Sequence, residues 1–391
     1  MTVLLFLLGF LLPSQTAIHF WPDFSFVGSI RIDYLSPTLY LTDILIILIT
    51  IFNLPALKKI TKIGILPLLL LFFLLNFIFS YSPWVTLIAE LRLLVYACFL
   101  IVLINFPAKT LYSLFWGLLG SLFWVSVLSL LQFVHQGSLG GIWVLLGERP
   151  LNIFSSAVST VSLGSLGQFI RAYATLPHPN SLAGYLVISW LLIQFSKNQL
   201  TSGITKMFKI ITLLVLISLI LTFSRTALLT ALILAGLSYF FRTSLPRVFK
   251  VLFPLALFLL VLQIIPGNPD SLYLRFQQIK LSSPFLLSPS LFGTGMNAFI
   301  PSAGGITLQP LHNVYLLILA EIGYVGVTIL GVLIYLYFKN IPEVSREIKI
   351  AWIFIFITAL FDHYWITLHQ NQLLVIILSY STIRNTCFRQ N

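Results

Sequence analysis

The chain is 391 residues long, with 59% hydrophobic residues, 8% charged residues, a mean hydropathy of +1.02 and a formal net charge of +12. No water-soluble surface can be built from that composition, so a soluble enzyme or a nucleic-acid-binding domain is excluded and a polytopic membrane protein is expected.

A hydrocarbon core about 30 Å thick takes about 20 apolar residues per helix. Runs of that kind recur along the chain, and the pattern predicts an all-α protein of about twelve transmembrane helices. The first, 2–20, has no basic leader and no small-residue cleavage site, so it is expected to be retained rather than removed as a signal. The next four fall near 38–54, 63–80, 84–104 and 111–134, followed by 179–196, 207–224, 226–241 and 248–265, and then 312–338, 350–367 and 371–386. Between them, 135–178 and 266–311 are too long for turns and are predicted as two outer-face loops that cap one end of the bundle. Together these parts make one transmembrane domain, 1–391, without internal repeats.

Basic residues orient the spans. Fifteen of the 22 Lys and Arg lie in alternate connections or at the C-terminus, from Lys58, Lys59 and Lys62 through Lys197, Lys206 and Lys209 to Arg384 and Arg389. The positive-inside rule makes those connections and both termini cytoplasmic, and clustered Lys favours anionic membrane lipids. The net positive charge is then a topology signal rather than a nucleic-acid footprint. The same map places all six histidines, eight of the ten acids and seven basic residues at or toward the outer face, so any chemistry is expected there. Cys98 falls in a span and Cys387 in the inner tail, which leaves the outer loops without disulfide or thiolate, and no His or acid cluster has metal-ligand spacing.

Three stretches concentrate the polar residues. In "GQFIRAYATLPHPN", Pro177 and Pro179 force extended backbone around His178, and Asn180 is placed to cap the next helix. Arg171 stands seven residues earlier. In "LILTFSRTALLTALI", two spans meet with almost no loop, which puts Arg225 at the tip of a helical hairpin at the outer interface. Arginine at that depth is expensive unless it faces a polar cavity, and its planar fork suits phosphate oxygens. In "PLHNVYLLILAEIGYVGV", His312 and Asn313 open a span, and the helix dipole should hold the imidazole neutral as a proton acceptor. Glu321 is about 13 Å deeper on the opposite face and reads as a buried tether to another helix, while Gly323 and Gly326 permit close helix contact.

Taken with "LFGTGMNAF" in the second long loop, "RAYATLPHPNSLAGYL", "TFSRTALL" and "LHNVYLLILAEIGYVG" resemble the bacterial O-antigen ligase and O-antigen polymerase family over about residues 165–340. The resemblance implies a metal-independent, cofactor-free glycosyltransferase of GT-C type in the inner membrane. Its donor would be a glycan on undecaprenyl diphosphate, and its acceptor a glycan, lipid or protein hydroxyl at the outer face. By matching position, Arg171 and Arg225 would bind the diphosphate and His312 would be the catalytic histidine, with His178, Asn180, Asn313 and Glu321 as supporting residues. Two other readings compete. A transporter or lipid-linked glycan flippase predicts ionisable residues near the midplane and mirrored helix interruptions, and a non-catalytic envelope scaffold predicts that the arginines and histidine are replaceable.

Overall fold

A computed structural model describes residues 1–62, 64–155, 158–197, 205–240, 270–284, 290–304, 307–339, 341 and 344–388. It is mostly helical, at 69%. Among the described residues, three helices are long and apolar enough to cross a membrane: Pro83–Asn105 (α4), Ala108–His135 (α5) and Val314–Lys339 (α12). The other helices are shorter or less apolar, so the three do not amount to the expected twelve spans. The others include Thr2–Leu11 (α1), Leu41–Ile51 (α2), Leu66–Ile78 (α3), Pro179–Ser196 (α7), Thr205–Leu221 (α8), Arg225–Phe240 (α9), Arg346–Thr358 (α13) and His369–Phe388 (α15). The expected span 248–265 lies outside the described residues.

The expectation of an uninterrupted all-α architecture needs correction. The first span stops at Leu11, because Pro13 cannot continue a helix and Ser14 bonds instead to the carbonyl of Leu146. Beyond it, Ala17–His19 (β1) pairs antiparallel with Thr38–Tyr40 (β4), and Phe26–Val27 (β2) pairs with Ile30–Arg31 (β3) around Gly28. The first long loop also carries structure: the one-turn helix Ile142–Leu145 (α6) and a hairpin of Thr160–Ser162 (β5) with Gln168–Ile170 (β6). The second contains Asp270–Leu281 (α10) and the short Phe299–Ser302 (α11). The run read as 350–367 ends as a helix at Thr358, and after a turn the single-turn helix Tyr364–Thr367 (α14) leads into α15.

Helix α7 is the centre of the packing, with buried residues all round its circumference, as expected for a helix that is apolar on every face. It touches α5, α8, α9, α13 and α15. Backbone-to-backbone contacts fix α1 on α5: a Cβ added at Gly9 would lie 2.3 Å from the carbonyl oxygen of Leu114, and one at Gly117 would lie 2.1 Å from that of Phe6. At Gly184 an added Cβ would meet the Tyr364 ring at 2.7 Å, which seats α14 against α7.

Helix α12 is broken at Gly323, where φ is +64°. The break frees the carbonyls of Ala320 and Glu321, and the second outer loop supplies their donors through Thr294 N–H at 2.9 Å and Gly295 N–H at 3.0 Å. A Cβ at Gly293 would come within 2.3 Å of the Glu321 carbonyl, so the close approach requires glycine there. Gly323 thus admits a loop rather than a neighbouring helix, and Gly326 packs against Phe72.

Candidate active site

Arg171 follows directly after β6 and is held against the tip of the α8–α9 hairpin. Its backbone neighbour Ala172 donates to Leu221 O, and its Nε donates to Thr222 O at 2.7 Å, three residues before Arg225. The two arginines expected to share one ligand are therefore brought together. Burial pulls the Arg171 pKa down to about 10, with Tyr173 and Asp362 opposing and Arg275 and Arg225 reinforcing the shift, so the guanidinium stays charged at neutral pH. Two of its five N–H donors are occupied, by Thr222 O and Asn180 Oδ1. Among the described residues, the buried Nε of Arg225 has no partner and neither arginine forms an ion pair with a carboxylate.

Asn180 does not cap α7, contrary to the sequence expectation. The helix begins two residues earlier than that cap would set, at Pro179, and the cap is His178, whose Nδ1 accepts from Asn180 N–H at 3.1 Å. The Asn180 side chain is thereby free to bridge: its Oδ1 accepts from Arg171 Nη2 at 2.9 Å and its Nδ2 donates to Asp362 Oδ2 at 2.9 Å. Because Nδ1 of His178 is an acceptor, its proton sits on Nε2, which donates to Ser159 Oγ at 3.1 Å. Both nitrogens of His178 are satisfied, so its role is to support the loop.

His312 lies two residues before α12. Asn313, between them, caps that helix by accepting Leu316 N–H at 3.0 Å and donates to Leu360 O at 3.0 Å, tying it to the turn that carries Asp362. Gln278 on α10 fixes the tautomer of His312. Its Nε2 faces the carbonyls of Gln309 and Pro310, so its Oε1 faces His312 and accepts from both the backbone N–H and Nδ1, the latter at 2.9 Å. Nδ1 carries the proton, and Nε2 has no hydrogen-bond partner among the described residues. Burial, rather than the helix dipole expected from sequence, is the main cause of the lowered His312 pKa; Asp362 opposes it and Arg275 adds to it.

Beside it stand two residues that the sequence reading passed over. The His363 ring packs edge-on to that of His312, with centroids 5.0 Å apart. Its Nδ1 lies 2.7 Å from Thr367 Oγ1, whose own hydrogen goes to His363 O, so Nδ1 is the donor and Nε2 again the bare acceptor. Burial pushes the His363 pKa down to about 4, against the pull of Asp362 and with help from His312 and Arg275. Asp362 is itself buried, which alone would raise its pKa; His363, His312, His178 and the Asn180 hydrogen bond outweigh this and hold it low, as a carboxylate. The expectation that no metal-ligand cluster exists rested on sequence spacing. In three dimensions one ring nitrogen each of His312 and His363 and an Asp362 oxygen lie within 4.8 Å of one another.

Glu321 is not part of this centre. It is buried and accepts from Tyr34 Oη at 3.3 Å, while Asn76 Nδ2 donates to its carbonyl at 3.0 Å. Its side chain tethers the Tyr34 segment, and its carbonyl ties the break in α12 to α3 through Asn76 and to the second loop through Gly295. The missed residues did carry a signal: an Asp–His pair inside the run assigned as the span 350–367 is costly in lipid, and such residues are functional by default. Arg275 and Gln278 had none, because nothing in the sequence of the second loop says which of its polar residues fold inward. No protein-family model, curated protein or solved structure matches the chain.

Proposed function

We propose that the chain is a membrane glycosyltransferase that moves a glycan from an undecaprenyl-diphosphate donor to an acceptor hydroxyl, on the outer face of a bacterial inner membrane with both termini cytoplasmic. The observation that carries this reading is a linked set of contacts: Arg171 reaches the α8–α9 tip that carries Arg225, and Asn180 joins Arg171 to Asp362, which lies beside a neutral histidine whose Nε2 has no partner among the described residues. Guanidinium forks fit diphosphate oxygens, and a neutral imidazole in a partly dry site fits proton abstraction.

In the reaction, the acceptor hydroxyl gives its proton to His312 Nε2 as its oxygen bonds to the anomeric carbon of the donor sugar. The bond from that carbon to the diphosphate oxygen breaks, and the diphosphate leaves with the electron pair. Arg171 and Arg225 stabilise the charge that develops on it, so neither a general acid nor a metal is required for departure. Asn180 sets the relative positions of Arg171 and Asp362. The transferred glycan goes to a lipid-borne acceptor in a ligase and to a growing chain in a polymerase.

The test uses the purified full chain in lipid with a synthetic polyprenyl-diphosphate glycan. Arg225→Lys keeps the charge but loses the fork, and should weaken donor binding by about 1.5–3 kcal/mol, roughly 10- to 150-fold. Wild-type donor affinity in Arg225→Lys and Arg171→Lys would remove the diphosphate site and the reading with it.

A further inference from the structure

We infer that His312, Asp362 and His363 form a binding site for a divalent first-row cation of the zinc class, which competes with the acceptor hydroxyl for His312 Nε2. The competition rests on the proposed transfer reaction; the binding does not. Donor type comes first. Two imidazole nitrogens and one carboxylate oxygen suit zinc and its neighbours, whereas magnesium and calcium take oxygen ligands almost entirely.

Orientation is the second observation. A metal-bound histidine donates its other ring N–H to a fixed acceptor, which sets the tautomer and aims the ligating nitrogen. Both histidines here are held that way, His312 by Gln278 Oε1 and His363 by Thr367 Oγ1, each through Nδ1. Asp362 is anchored in turn by Asn180 Nδ2 and by the backbone N–H of His363, each on a different oxygen. His178 makes the contrast: its tautomer is the reverse, both of its nitrogens are engaged within the protein, and it offers no lone pair.

Distance sets the remaining requirement. Bonds of about 2.0–2.1 Å place zinc ligands roughly 3–3.5 Å apart, so donors within 4.8 Å must close by up to about 1.5 Å, which side-chain rotation supplies. Arg275, whose charge reaches both histidines, and Arg171, beside Asp362, repel a dication. The site is therefore a weak and exchangeable one, with open coordination positions, unlike a closed structural zinc site.

Cobalt(II) is the probe, because its visible absorption reports ligand number and geometry. It is titrated into the tag-free full chain in detergent, and zinc is then added. One cobalt per chain should bind and be displaced by zinc. His363→Asn and His312→Asn each keep a side-chain N–H in the place of Nδ1 while removing the ligating nitrogen, and each should weaken binding at least about tenfold, as should Asp362→Asn. His135→Ala, at an exposed histidine away from the site, should leave it unchanged. Absence of a stoichiometric cobalt spectrum, or wild-type affinity in any of the three ligand variants that retains its thermal transition, would overturn the site. In the transfer assay, zinc should inhibit in step with occupancy and be relieved by acceptor; zinc that binds without slowing transfer overturns the competition. Cobalt binding in a chain that transfers no glycan under any condition would instead sink the proposed reaction and leave the metal site standing.

Discussion

The molecule contains two polar centres made from the same residue types, on either side of the short helix α14. One is the centre around His312, Asp362 and Arg171. The other joins His369 on α15 to Asp43 on α2 and to Arg92 and Tyr96 on α4. In the second, the histidine and the carboxylate are closed off. His369 has Thr42 Oγ1 at 2.6 Å on one nitrogen and Tyr96 Oη at 2.6 Å on the other, and it stacks on Tyr40 at 4.3 Å. Asp43 accepts Tyr40 N–H at 3.0 Å and lies 3.7 Å from Arg92, which also bonds to Thr38 O. In the first centre, two arginines keep unused donors and two histidines keep bare acceptors. A satisfied network specifies a packing arrangement, whereas an unsatisfied one in a buried place is held ready for something from outside. Residue type cannot tell the two apart, but the state of each lone pair and proton can.

The largest expected effect separates the centres through activity. Loss of a positioned base costs typically 10²–10⁴-fold in rate, so His312→Ala should reduce transfer by about that factor while keeping donor affinity and melting temperature. Full activity in His312→Ala, measured on the same preparation as its thermal stability, would remove the histidine from the chemistry.

The reverse pattern is expected at the closed centre. His369→Ala empties a fully enclosed site, strands Thr42 and leaves Tyr96 only Gln372, which should cost about 2–5 kcal/mol of stability. Transfer per folded molecule should survive. Thermal unfolding in a fixed detergent reads the first quantity, and initial rates normalised to folded protein read the second. A variant that stays as stable as wild type yet loses transfer would make His369 a functional residue and erase the distinction.

Asn180 is the intermediate case, because its amide joins Arg171 to Asp362 without offering a reactive atom. Asn180→Ala should let the two drift apart, and misplacement of about 1 Å costs up to roughly 100-fold in rate. As a positioning residue it should lower kcat more than it raises the KM for donor. An equal loss in both would show instead that Asn180 touches the substrate.

These contrasts also mark how far the sequence could be read. The membrane class, the hairpin that presents Arg225, the loop that presents Arg171 and the exposed start of α12 at His312 all follow from local patterns of apolar length, proline and polarity. The β-paired segment 17–40 was hidden because its apolar residues continue the run of α1, and only Pro13 and the polar residues after it mark the change. Asp362 and His363 were inside a stretch apolar enough to be counted as a span, so their grouping with His312, about 50 residues away, needed the turn after α13 to be seen. The cap of α7 went to His178 rather than Asn180 because the asparagine amide has two stronger claims on it, a guanidinium and a carboxylate. Local capping preference carries no information about either.

The smallest effect is a displacement of the pH profile. The proposed reaction requires His312 neutral, and its pKa is lowered by burial first, raised by Asp362 and lowered by Arg275. The acid limb of the rate should thus lie below the ordinary histidine pKa of about 6.5. Arg275→Gln removes a cation that disfavours imidazolium, so the limb should move to higher pH; Asp362→Asn removes the anion that favours it, so the limb should move lower. Stability follows the same groups. In the folded protein His363 protonates only near pH 4, while the unfolded chain protonates it near 6.5, so between those values the unfolded state binds more protons. Stability should be flat above about pH 6.5 and decline as the pH falls from there toward 4. The closed centre contains no group whose unsatisfied valence is needed for transfer, so Tyr96→Phe should lower stability without moving the acid limb. Equal displacement of the limb by Arg275→Gln and by Tyr96→Phe would mean that the profile reports unfolding rather than His312.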